Sequence, residues 1–140
     1  MREIQEVIEG RAAKLSAGDV RGFLAYSAPE VVLYSLAPPL AERADSTDPT
    51  PTEQWLATFE APPRREVTQL EIAVDGDVAF ATSLDSMSAT PKGTTDAFTL
   101  WYRVTLGLRR IDGRWLVVHE HESVPFRMDG SFAAAIDLTP

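Results

Sequence analysis

The segment "GRWLVVHEHESVPF", residues 113–126, carries both histidines of the chain two residues apart in an otherwise apolar stretch. Side chains alternate along a strand, so His119 and His121 share a face with Trp115, Val117 and Ser123, while Glu120 and Glu122 take the other. Imidazole titrates near neutral pH; in an apolar cavity it can take a proton from a carbon beside a carbonyl and return it elsewhere. Arg103 could hold a developing enolate or alkoxide oxygen, or a substrate carboxylate, and would keep a nearby histidine neutral, the state a base needs. Asp85 is a further acid or base on a neighbouring segment. The candidate catalytic set is therefore His119, His121, Arg103 and Asp85, against the alternative of two structural histidines bonded to Ser, Thr or backbone groups. His-x-His also presents two nitrogens to one ion. Asp85 or Glu120 would have to supply a third ligand, Glu120 alternates away, and the chain has no cysteine and no other histidine, so neither a metal nor any other cofactor is expected. The same alternation weakens a paired-carboxylate, glycosidase-like reading of "EHE".

Whether these groups meet depends on one register. If Asp112-Gly113 is a two-residue hairpin loop, 111 pairs with 114, His121 faces Val104 and His119 faces Leu106. If a type I turn is followed by Gly113 as a bulge, 110 pairs with 114. His121 then faces Arg103 and His119 faces Thr105, with Trp101 and Ser123 on the same side. The bulged turn is favoured because it gathers the polar residues and leaves Leu100, Tyr102, Val104, Leu106 and Leu108 together.

The elements that must position them read as helices first and strands later. Ile4, Val7, Ile8, Arg11, Ala12 and Leu15 recur at helical spacing and Gly18 stops the helix. Asp19 can cap a second short helix ending before Pro29. "VVLYSL", 31–36, reads as a strand, and 37–51 as a Pro- and Asp-rich loop that could act as a lid. Thr50, Pro51 and Glu53 form a capping-box pattern for a third helix carrying Trp55, Leu56 and Phe59. Two Asp-Gly signals, at 75–76 and 112–113, then divide four long strands into hairpins. Arg64-Arg65 reads as a solvated strand start, and residues 127–140 as a tail of uncertain order. This order argues for one α+β domain with helices on one face of a curved antiparallel sheet.

Composition narrows the function classes. With 140 residues, 44% of them hydrophobic, the chain fits one domain with a real core. A formal charge of −8 argues against nucleic-acid or anionic-membrane partners, and the amphipathic start lacks a signal or membrane-spanning run. A cytoplasmic protein is expected.

Two N-terminal helices, a strand, a Pro-Pro loop, a short Trp helix and hairpins ending in "WYRVTLGLRRIDGRWLVVHEHESVPF" resemble the SnoaL-like, ketosteroid-isomerase-like branch of the nuclear transport factor 2-like superfamily. The resemblance covers about residues 3–126 and is most specific at Arg103, Thr105, Trp115, His119, His121, Ser123 and Pro125. It implies a cone-shaped, cystatin-like α+β fold around a central apolar cavity, usually as a homodimer. It also implies cofactor-free isomerisation, cyclisation, dehydration or epoxide opening of a small apolar or polyketide-like molecule. Tyr34, Trp55, Trp101, Thr105, Trp115 and Ser123 are the expected substrate-contacting residues. Ketosteroid isomerase works with an aspartate base, a tyrosine and a protonated aspartic acid. Helix one here has neither Tyr nor Asp, which turns the expectation to cyclase-like chemistry from the last strands. The alternative is a domain of the same fold that binds a small ligand or a protein without chemistry.

Overall fold

The structure, a computed structural model, describes residues 1–140. Helix α1, Arg2–Ser16, forms where the apolar spacing predicts it, and Ile4, Ile8, Ala12 and Leu15 are buried along one stripe together with Arg11. Gly18 ends it at φ 74°, a conformation that favours glycine. The Asp19 carboxylate accepts the Gly22 amide at 2.9 Å and caps α2, Val20–Leu24.

Strand β1 is Ser27–Tyr34, earlier than expected, because its first residues already pair with the last strand. The segment 37–51 contains a short strand, β2, Glu42–Asp45, antiparallel to β1. Backbone pairing at the sheet edge thus anchors the middle of what reads in sequence as a free loop. Helix α3 is Thr50–Leu56. Its capping box does not form: Pro49 stands at the cap, and the Asp48 carboxylate accepts the Thr50 amide at 3.0 Å. Phe59 lies beyond the helix and meets Trp55 edge-on, with ring centroids 5.4 Å apart.

The four long strands are β3, Arg64–Asp75; β4, Val78–Ala89; β5, Phe98–Ile111; and β6, Arg114–Ser123. They complete a six-stranded sheet of order β2-β1-β6-β5-β4-β3, in which only β1 and β6 run parallel. Helix α1 packs on one face, called inner here, where Ile4, Ile8, Val104, Leu106, Leu108, Trp115 and Val117 form the core. Leu108 and Val117 are wholly buried. Beyond β6 the tail folds back on itself, Phe126 bridging Ala134.

Two register details decide the faces. The β3–β4 loop is Gly76–Asp77, one residue later than the Asp-Gly signal, since Asp75 pairs with Val78. At the β5–β6 loop Asp112 and Gly113 have φ 51° and 79°, both left-handed as a type I′ turn requires, and Ile111 pairs with Arg114. The favoured bulged turn is therefore not adopted. The bulge sits inside β6 instead: Leu108 faces Val117, but the next residue, Gly107, faces His119, leaving Val118 unpaired. Gly107 permits this crowding, because a Cβ there would stand 3.2 Å from the His119 Cβ. One extra residue inverts the alternation of everything downstream.

Candidate functional site

Past Val118 the inverted alternation turns Glu120 and Glu122 to the inner face, opposite Leu106 and Val104. The helical spacing of α1 brings Arg11 down on them, and β3 and β4 contribute Arg65 and Asp85, with Tyr102 opposite Asp85 on β5. Arg11 Nη1 donates to Glu120 Oε2 at 2.6 Å, and Arg65 Nη2 lies 3.6 Å from the same oxygen. Arg65 Nε donates to Asp85 Oδ2 at 2.9 Å, and the Ser83 hydroxyl donates to Asp85 Oδ1 at 2.6 Å. The side chains of Arg11, Arg65, Asp85 and Glu120 are all at most 7% exposed.

Charge balance explains the protonation states. Two guanidiniums face three carboxyls, so the cluster is neutral only when one carboxyl holds a proton. Burial opposes ionisation of Glu120, but Arg11 and Arg65 outweigh it and hold that carboxyl at about 2. Glu122 lacks such a partner. Burial, then the Glu120 charge, pushes it up to about 7, with Arg65 and Arg11 only partly offsetting this. Burial likewise raises the Tyr102 phenol above its ordinary value, keeping it a hydrogen-bond donor. Burial works against the Arg65 charge, yet Glu120 and the other acidic groups around it more than restore it. Arg11 Nε is the one fully occluded side-chain polar atom without a partner. The Glu122 carboxyl and the Tyr102 hydroxyl have no hydrogen-bond partner within the chain, although Tyr102 is only 4% exposed.

The structure separates the sequence-predicted residues. Asp85 is in the inner cluster. His119, His121 and Arg103 are on the outer face: His121 opposes Thr105 and Arg103 opposes Ser123, whose hydroxyl accepts from Arg103 Nε at 3.1 Å. The four catalytic candidates therefore do not converge, because the Val118 bulge turned the histidines away from α1. Among the expected substrate contacts, Tyr34, Trp101, Thr105 and Ser123 share that outer face, Trp115 is core, and Trp55 stands on α3 against Phe59. Arg65, read as solvated, is buried, while Arg64 beside it is exposed. The signal for Arg11 was its place on the apolar stripe of α1; nothing local marked Glu122 or Tyr102.

Two surface clefts, of about 280 and 410 Å³, lie between α2 and residues 46–49 and between residues 60–64 and 88–99, apart from the inner cluster. No three His, Asp or Glu side chains converge to hold a metal ion. No helix is long and apolar enough to cross a membrane.

No functionally curated protein matches the chain. Among solved structures, an NTF2-like protein of unknown function from Pseudomonas putida KT2440 is 29% identical, with a TM-score of 0.84 over 99% of this chain and 95% of that one. A ketosteroid isomerase-like protein from Erwinia carotovora atroseptica is 18% identical, with a TM-score of 0.72 over 87% and 93% of the two chains. A candidate scytalone dehydratase from Novosphingobium aromaticivorans is 14% identical, with a TM-score of 0.76 over 88% and 82%. At these last identities the likeness is one of fold. The SnoaL-like domain profile matches residues 4–127, nearly the whole chain, and together with the curved sheet over α1 it establishes that this protein belongs to the SnoaL-like domain family, of NTF2-like fold.

Proposed function

We propose that the chain is a cofactor-free proton-transfer enzyme, isomerase-, cyclase- or dehydratase-like, acting on a small apolar carbonyl compound at the inner face, with Glu122 as acid and base. The uncompensated carboxyl supports this reading: Glu122 has no ion-pair partner, and burial and the Glu120 charge push it up to about 7, while Arg11 and Arg65 hold Glu120 ionised. Glu120, locked to Arg11 and Arg65, stays an anion, which leaves Glu122 as the carboxyl able to take up and return a proton. Tyr102 stands diagonally across the β5–β6 pair from Glu122, and its free hydroxyl would donate to the oxygen of an enolate or alkoxide formed when Glu122 takes the neighbouring proton. Asp85 and Ser83 position Arg65, whose fixed charge favours that anion.

The test follows deuterium entry at carbons beside the carbonyl in a panel of small ketones and polyketide-like diketones, by proton NMR in D2O. Enzyme-dependent exchange with at least one ketone, lost in Glu122→Gln and retained in His121→Ala, is expected. Exchange with no ketone, or exchange surviving in Glu122→Gln, overturns the assignment. A second reading, ligand or protein binding without chemistry, is favoured by the way Arg11, Arg65, Asp85 and Glu120 close on one another. Ketone-induced shifts of inner-face resonances without exchange would identify it.

A further inference from the structure

The His119–His121 pair is not absorbed by the inner-face site. We propose that it forms a two-imidazole site for a divalent late transition-metal ion, with Cu2+ bound most tightly, on the open outer face of the sheet. Three observations carry it. His119 Nδ1 lies 2.7 Å from the Val32 carbonyl oxygen, which can only accept, so the proton is on Nδ1 and the Nε2 lone pair is free. This is the carbonyl-anchored tautomer that metal-bound histidines adopt. The two rings project from the same side of β6 with centroids 6.4 Å apart, and Tyr34 on β1 packs edge-on against both, at 5.0 and 5.3 Å. Metal–nitrogen bonds of about 2.0–2.1 Å place each centroid about 3 Å from a shared ion, so two ligating rings stand about 5 Å apart at a tetrahedral angle and about 6 Å apart only when they oppose each other across the ion. Binding therefore requires the exposed His121 to rotate toward His119 from the 6.4 Å separation.

Across β5 the pair meets only Gly107 and Thr105, leaving the remaining coordination positions open to water. Of the two nearby cations, only Arg43 is neutralised by a carboxylate; Arg103 keeps its charge and is held to one side by a neutral acceptor. Arg103 lies one rung further on and donates to Ser123, and Arg43, beside Val32, pairs with Glu30 at 2.7 Å. The objection that Glu120 faces away does not remove the site, because two imidazoles and water suit Cu2+, Ni2+ or Zn2+, with Cu2+ first in the affinity order.

The experiment is calorimetric and electron paramagnetic resonance titration of the untagged full chain with Cu2+, for wild type, His121→Ala and His119→Ala. His119→Ala also removes the bond to Val32, so the exposed His121→Ala is the primary variant, its fold checked by circular dichroism. One ion per chain with two-imidazole nitrogen coupling is expected, and affinity about 100-fold weaker in His121→Ala, the loss of one arm of a chelate. Wild-type spectra showing fewer than two imidazoles, or a loss in His121→Ala below about tenfold, overturn the proposal.

Discussion

Glu122→Gln tests the electrostatics of the inner cluster independently of any substrate. Glutamine has the shape of a protonated glutamate and cannot ionise. The native state raises this carboxyl from 4.5 to about 7, so the folded chain holds the proton more tightly than the unfolded chain. Stability contributed by that proton is complete below pH 4.5, falls as pH rises from 4.5 to about 7, and is absent above. At 1.36 kcal/mol per tenfold change in proton affinity, the loss amounts to about 3 kcal/mol. Glu120 has the opposite sign, stabilising above 4.5 and failing as pH drops toward about 2, and it is common to both proteins. The difference between variant and wild type therefore isolates Glu122. Urea unfolding followed by tryptophan fluorescence should give nearly equal stabilities at pH 4 and a variant more stable by about 3 kcal/mol at pH 8. A gap independent of pH, or a variant less stable at pH 8, would refute the charge-balance argument.

Arg65→Ala leaves Asp85 buried without its guanidinium and should cost about 3–5 kcal/mol in the same unfolding experiment. Leu108→Ala, at a wholly buried position, should cost about 2–5 kcal/mol with unchanged pH dependence. Tyr102→Phe removes a hydroxyl that bonds to nothing in the chain. It should change stability by less than about 1 kcal/mol while slowing ketone deuterium exchange, and equal exchange would remove Tyr102 from the site. Deleting Val118 removes the bulge and leaves Glu122 facing inward, so pH-dependent titration of its carboxyl, followed by carbon NMR, should persist near neutrality; loss of that titration in a folded deletion variant would contradict the register.

Local chemistry determined much of this molecule. The stripe from Ile4 to Leu15, Asp19 as a cap, Gly18 as a stop, and long β-rich runs separated by Asp-Gly pairs specify α1, α2 and the hairpins, because helix and strand periodicities and left-handed turn residues are properties of a few neighbouring residues. The order of helices, loop and hairpins carries the family resemblance on the same basis. Tertiary structure alone decided which residues share the inner face. An unpaired Val118 opposite Gly107 depends on contacts between strands distant in sequence, and it moved Glu120 and Glu122 inward and the histidines outward. The pairing of Arg65 with Asp85 and of Arg11 with Glu120 spans 20 and 109 residues, respectively. Alternation predicts faces only while the ladder is regular; one bulge reverses them, and the charge left unbalanced in the core follows from that reversal.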